Sequence, residues 1–129
     1  MGQKYLIDSN VIIDYTSGRL PENGSDFVEQ IFNNNFLISV IVKIEVLGFD
    51  DIPHKVAAME DFISMAKVIP LDAKVTDRAI RLRREHKKLK LGDAIIASTA
   101  LEHEFILITH NIADFKNIPG LEILNPYQI

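Results

Sequence analysis

The chain has 129 residues, a mass of 14.6 kDa and a formal net charge of −4 at pH 7. This is the size of one domain, and a composition of 47 % apolar and 25 % charged residues is typical of a globular core and argues against disorder. The absence of cysteine excludes disulfides, thiolate metal sites and a cysteine nucleophile. With no signal-peptide pattern and no apolar run of the roughly 20 residues that span a bilayer, we expect one soluble cytoplasmic domain over residues 1–129 and no membrane partner.

Predicted strands and helices alternate along the chain. In chain order they are a strand at 5–7, a helix at 11–15, a loop at 18–24, a helix at 25–32, a strand at 36–40, helices at 42–47 and 53–66, a strand at 68–69, helices at 72–89 and 93–101, a strand at 105–108, a loop at 109–114 and a strand at 121–124. Helix starts are expected at Ser25, Pro53, Asp72 and Asp93. Short apolar strands separated by helices predict a mostly parallel, five-stranded sheet in a three-layer α/β/α sandwich.

Four acidic residues fall where strands end or where helices facing those ends begin: Asp8, Glu45, Asp93 and Asp114. In open α/β sheets the functional crevice lies beyond the carboxyl ends of the strands. Carboxylates that meet there repel one another, and a divalent cation with a preference for hard oxygen ligands, such as Mg²⁺ or Mn²⁺, removes the repulsion. Taken singly, each acid also has a structural interpretation, as a helix cap, a turn residue or a solvated side chain.

Half of the fourteen lysines and arginines lie between Arg78 and Lys90. On a continuous helix, Arg81, Arg84 and Lys88 would share one face along which an RNA backbone can lie. The alternative is a solvated outer helix face. The overall negative charge argues against a generally basic nucleic-acid surface.

Histidines and aromatic residues give weaker signals. No pair of histidines has metal-ligand spacing. His86 falls on an apolar stripe and is expected at the edge of the core, whereas His110 lies in the predicted loop after the fourth strand. Tyr15 is predicted to be the exposed aromatic residue near the acidic site.

Four stretches of the sequence carry a more specific pattern: YLIDSNVIIDY, ISVIVKIEVLGF, LKLGDAIIASTALEHEFILITHNIADF and NIPGLEILNP. Together they resemble the PIN domain family and, within it, the VapC toxins of bacterial and archaeal toxin–antitoxin pairs. The four acidic positions of the family are filled by Asp8, Glu45, Asp93 and Asp114, and its supporting polar positions by Asn10, Thr109 and Asn111. The chain departs from the family at Gly92, where proline is frequent, and at His110, where arginine is frequent.

The resemblance implies a Mg²⁺- or Mn²⁺-dependent endoribonuclease. Asp8, Asp93 and Asp114 would hold the metal, and Glu45 would orient or deprotonate the attacking water or hold a second metal. Asn10 and Thr109 would orient the carboxylates. Because water attacks directly, the RNA products would carry a 5′-phosphate. The expected partners are RNA, a cognate antitoxin protein and a second copy of the chain in a homodimer, with Phe49, Ile52 and Val56 as interface candidates.

Three other interpretations are open at this point. A phosphatase of the haloacid dehalogenase type would use Asp8 as nucleophile and Ser39 as phosphate ligand, but Asn10 stands where that chemistry needs an acid. A response-regulator receiver needs a phospho-acceptor aspartate at the end of the third strand, where Pro70 stands. A catalytically silent PIN domain that acts as a binding module is the third, and the presence of all four acids argues against it.

Overall fold

A computed structural model describes residues 2–129 of the chain and contains a five-stranded sheet. The strands are β1 (Tyr5–Ile7), β2 (Leu37–Ser39), β3 (Lys67–Ile69), β4 (Ile106–Ile108) and β5 (Ile123–Leu124). Their order across the sheet is β3-β2-β1-β4-β5, and every neighbouring pair is parallel, with Leu6 of β1 opposite both Leu37 and Leu107. The predicted α/β fold with a five-stranded parallel sheet is confirmed.

Seven α-helices connect these strands within residues 2–129: α1 (Ser9–Thr16), α2 (Glu22–Phe32), α3 (Val40–Leu47), α4 (Pro53–Ile63), α5 (Ala73–Glu85), α6 (Leu91–His103) and α7 (Ile112–Phe115). A short 3₁₀ helix at Pro126–Gln128 ends the chain. The path runs from β1 to β3 in one direction across the sheet and then crosses back to β4. Because right-handed crossovers in opposite directions place helices on opposite faces, the sheet is covered on both sides. Over the described range, no helix combines the length and the hydropathy needed to cross a membrane.

The core lies at the centre of the sheet. Leu6, Ile7, Leu107 and Ile108, on the adjacent strands β1 and β4, are fully buried. The alanine-rich helix α6 packs closely in the same core, with Ala94 and Ala97 at 0 % exposure. Small side chains permit this close packing, which brings the first turn of α6 near the ends of the central strands.

Four helices begin earlier than predicted, among them α1 at Ser9 and α3 at Val40, each two residues early. Helix α2 starts at Glu22, with Pro21 at the N-cap position, so Ser25 lies inside the helix and is not its cap. Proline fixes φ near the value that a helix start requires, and the carboxylate of Glu22 favours the positive end of the helix dipole. Helix α6 starts at Leu91, behind Lys90, which puts Asp93 within the first turn instead of at the cap.

Helix α5 ends four residues earlier than predicted, and this moves Lys88. His86 leaves helical geometry at φ −124° and ψ 88°, and the chain then turns so that Leu89 is buried. The prediction that Lys88 shares a helix face with Arg81 and Arg84 is wrong, because Lys88 lies in the turn between α5 and α6.

The C-terminal 3₁₀ helix packs against α2 at Gly24. A Cβ atom at this position would lie 2.8 Å from the carbonyl carbon of Pro126 and even closer to its oxygen. We therefore expect Gly24→Ala to lower the free energy of unfolding by about 1–3 kcal/mol, the usual cost of overpacking. Urea denaturation measures this, with Asn23→Ala at the exposed neighbouring position as the matched control. Equal stability of the two variants would contradict the observed close approach.

Candidate active site

The crevice at the carboxyl ends of β1 and β4 holds the first predicted acid. The chain direction across the sheet reverses between these two strands, which is the position where open α/β sheets bind ligands. Asp8 follows β1, and its backbone N–H donates to the carbonyl of Ile108 at the end of β4, at 3.0 Å. Its side chain is 5 % exposed. Asp8 is therefore a buried acid at the mouth of the crevice.

Hydrogen bonds hold the Asp8 carboxylate in one orientation. Its Oδ1 accepts from the Ser9 backbone N–H at 2.8 Å. Its Oδ2 accepts from the Thr109 hydroxyl at 2.7 Å and from Asn10 Nδ2 at 3.0 Å. Thr109 is itself fully buried at the end of β4. The side chains of Asn10 and Thr109 therefore both donate to the same oxygen of the Asp8 carboxylate.

The same network reaches the loop between β4 and α7. Asn10 Oδ1 accepts from the backbone N–H of His110 at 3.0 Å, and the Thr109 hydroxyl oxygen accepts from the backbone N–H of Asn111 at 3.1 Å. Asn111 therefore contributes through its backbone, and its side chain makes no hydrogen bond within the described residues. The loop that leads into α7, the helix that carries Asp114, is therefore anchored to Asn10 and Thr109 at two backbone positions.

Glu45 reaches the site from α3. That helix is capped by Ser39, whose hydroxyl oxygen accepts from the Ile41 N–H at 3.2 Å directly after β2. Glu45 Oε1 accepts a hydrogen bond from the Ser9 hydroxyl at 2.6 Å. Gly92 of α6 lies close to the second oxygen of Glu45. A Cβ atom added at Gly92 would be 3.6 Å from Glu45 Oε2, an ordinary van der Waals distance. Ser9, which sequence reasoning did not single out, connects Glu45 to Asp8, since its hydroxyl donates to Glu45 and its backbone N–H donates to Asp8.

The acids influence one another electrostatically. The pKa of Asp93 is raised to about 6, first by burial and then by the charges of Asp8, Asp114 and Glu45, while Lys90 opposes the shift. Burial also raises the pKa of Asp8, against the lowering effect of its hydrogen bonds. The structure therefore brings all four predicted acids into one electrostatic cluster. Lys90, at the start of α6, is a cation at the site that sequence reasoning did not single out.

This cluster suits a hard divalent cation by its donor chemistry. As placed within residues 2–129, no three carboxylate or imidazole groups are close enough together to hold a metal ion. Asp8 is fixed by three hydrogen bonds, whereas no side-chain hydrogen bond in that range restrains Asp93 or the exposed Asp114. The donors are all oxygens, and their mutual repulsion is the kind that a divalent cation removes.

The predicted basic residues are exposed on α5 and in the turn that follows it. Arg81 and Arg84 are exposed on α5 and form no ion pair within the described residues, whereas Arg78 pairs with Glu102 at 3.5 Å. Lys88 is exposed in the turn that leads to Lys90 and α6. The predicted cationic surface is therefore a helix face followed by a turn.

The aromatic residue beside the site differs from the one predicted. Tyr15 is half-buried, with its ring centroid 4.7 Å from that of Phe32, and its hydroxyl donates to Glu29 at 3.2 Å. Tyr127, from the C-terminal 3₁₀ helix, instead packs on His110 with ring centroids 4.2 Å apart. No periodicity signals this contact, because the two residues belong to separate irregular segments.

Comparison with known proteins places the chain in a family. The PIN domain family model matches residues 5–121. Ribonuclease VapC2 of Rickettsia felis is 32 % identical, over 94 % of this chain and 96 % of its own length. The tRNA(fMet)-specific endonuclease VapC of Salmonella typhimurium is 29 % identical, over 93 % of this chain and 96 % of its own length.

Solved structures agree with these sequence relatives. A toxin–antitoxin complex from Klebsiella pneumoniae matches with a TM-score of 0.79 and 32 % identity, covering 98 % of this chain and 100 % of that one. VapBC2 from Rickettsia felis, bound to a DNA fragment from its promoter, matches with a TM-score of 0.80 and 26 % identity. The match covers 95 % of this chain and 98 % of that one. The chain belongs to the PIN domain family and, within it, to the VapC ribonucleases.

Proposed function

We propose that this endoribonuclease depends on Mg²⁺ or Mn²⁺ held by Asp8, Asp93 and Asp114, and that residues 1–129 act as one nuclease domain in the cytoplasm, where its RNA substrates are. The observation that carries the proposal is the convergence of Asp8, Glu45 and Asp114 on Asp93 from separate elements, where burial and then these charges raise the pKa of Asp93. Such a cluster opposes folding unless a cation compensates it, which is the usual sign of a functional site.

Each acid has a distinct role in the proposed mechanism. When bound, a divalent cation would lower the pKa of a water molecule and stabilise charge on the phosphoryl oxygens. Asp8 is held ready for it by Ser9, Asn10 and Thr109. Glu45 Oε1 is occupied by the Ser9 hydroxyl, which leaves Oε2 to orient the attacking water and accept its proton. The leaving 3′-oxygen takes a proton from solvent, and the phosphate stays on the 5′ end of the downstream product.

A phosphatase with Asp8 as nucleophile is disfavoured by the same geometry. Both oxygens of Asp8 accept hydrogen bonds, and the side chain is 5 % exposed. In-line attack on a phosphate ester needs a free carboxylate oxygen directed at the substrate.

RNA and protein partners are proposed for separate surfaces. Exposed Arg81, Arg84 and Lys88 offer phosphate contacts leading towards Lys90 and the acids. A groove of about 700 Å³ is lined by residues of α1, α3 and α4 and by the exposed Phe49. We assign this groove to a cognate antitoxin, which the complexes formed by the structural relatives support, and we propose that the chain also forms a homodimer.

Metal removal tests the proposed function directly. Total cellular RNA incubated with the chain and Mg²⁺ or Mn²⁺ is expected to yield fragments with 5′-phosphate ends, and EDTA is expected to abolish them. Since no 2′-hydroxyl takes part, an RNA with a 2′-deoxy nucleotide at the mapped scissile position should still be cut. Cleavage in EDTA, or a requirement for the 2′-hydroxyl, would contradict the mechanism.

A further inference from the structure

His110 is held beside the active site by its backbone, while its ring is exposed. It follows Thr109 directly, and its N–H donates to Asn10 Oδ1 at 3.0 Å. The same Asn10 side chain donates to Asp8. The position of His110 is therefore tied to the carboxylate proposed to hold the metal. Within residues 2–129 the imidazole makes no hydrogen bond, so both ring nitrogens are free to contact a ligand.

Tyr127 supports the imidazole from the protein side. The two ring centroids are 4.2 Å apart, with an interplanar angle of 45°. The Tyr127 hydroxyl donates to Asp14 of α1, and its backbone N–H donates to Asn125 Oδ1 at 3.0 Å. Pro126, next to it, is buried against Gly24 of α2. Tyr127 is thus fixed to two helices before any substrate arrives.

We infer that the His110 ring, supported by Tyr127, stacks against a nucleobase of the RNA next to the scissile phosphate. An exposed ring of which one side packs on a fixed aromatic residue has the geometry of a stacking platform, and such platforms accept any base. Arg19, whose side chain is 63 % exposed and pairs with Asp14 at 3.4 Å, adds a cation at the same end of the site. The inference rests on the proposed ribonuclease function and adds a substrate contact to it. Tyr127 acts here as a positioning residue.

Binding of two labelled RNAs tests the stack without depending on cleavage. Fluorescein-labelled 15-nucleotide oligouridylate and oligoadenylate are titrated against the Asp93→Asn variant, and anisotropy gives Kd. Adding His110→Ala is expected to weaken binding about 5- to 150-fold, the usual effect of removing one base stack. Adding His110→Phe should restore Kd to within about 2-fold of the parent, because phenylalanine keeps the ring. Tyr127→Ala should resemble His110→Ala.

Controls separate stacking from folding and from other contacts. Gln128→Ala, at an exposed neighbouring position, should leave Kd unchanged, and the His110 variants should keep the thermal midpoint of the parent. If His110→Gln binds like the parent while His110→Phe does not, His110 contacts phosphate and the stack is wrong. Unchanged Kd in His110→Ala, or a parent that binds neither oligonucleotide, also overturns the inference. Binding that depends on the ring in a protein that cuts no RNA would instead contradict the proposed function.

Discussion

Replacement of Asp93 or Asp8 by asparagine is expected to lower RNA cleavage by about 10³-fold or more while the protein stays folded. Both carboxylates belong to the electrostatic cluster at the ends of β1 and β4, and each change removes one negative charge proposed to hold the cation. The asparagine side chain has nearly the same volume, so packing around the buried Asp8 is largely preserved. Initial rates of cleavage of total RNA in Mg²⁺, together with circular dichroism, measure the two properties.

The matched control for this loss is Asp77→Asn. Asp77 is exposed on α5 and belongs neither to the cluster nor to an ion pair within the described residues. Its replacement should leave the rate within about 2-fold of the native value, because exposed surface charges contribute little. If Asp93→Asn and Asp77→Asn were equally active, Asp93 would have no part in catalysis.

The metal-free protein is expected to become more stable when Asp93 is replaced by asparagine at pH 7.5. The pKa of Asp93 is raised from 3.8 to about 6 in the folded state, so folding favours the protonated carboxyl. Below the unfolded pKa, both states are protonated and the shift has no effect on stability. As pH rises towards 6, the unfolded state ionises first, and stability falls until the folded state has also ionised.

The size of this loss follows from the shift and from the exposure of the group. One pKa unit corresponds to about 1.4 kcal/mol, and because Asp93 is only half-buried we expect about 1–2 kcal/mol after allowing for solvent screening. Asp93→Asn should therefore raise the free energy of unfolding by this amount at pH 7.5 in EDTA and by little at pH 3.5.

Urea denaturation at the two pH values, with and without Mg²⁺, measures the effect. Mg²⁺ should stabilise the native chain more than the Asp93→Asn variant, since a ligand that binds only the folded state adds to its stability. Asp77→Asn again serves as the control. A variant that is less stable than the native chain at pH 7.5 in EDTA would show that the Asp93 carboxylate is not under electrostatic strain.

The fold could be predicted from the sequence because its strongest signals are local. Continuously apolar runs such as Tyr5–Ile7 and Ile106–Ile108 are typical of strands in the middle of a parallel sheet. The cap at Asp72 and the proline at the start of α4 are also properties of single residues and their neighbours. The predicted helix ends were less accurate. Helix α5 ends at Glu85 although its apolar stripe continues to Leu89, because a turn buries Leu89 as well as a helix would.

The sequence by itself singled out the four acids, since their places at strand ends and helix starts follow from the chain alone, and its resemblance to the PIN domain family added Asn10 and Thr109. Only the tertiary structure decided how they meet. The bonds from Thr109 to Asp8 and from Ser9 to Glu45 join residues 101 and 36 positions apart, and the pKa of Asp93 depends on charges carried by three other elements. The tertiary structure also places Tyr127, and not Tyr15, against His110 beside the site. Local propensity carries no information about such pairs, because their distances depend on how the crossovers bring distant segments together.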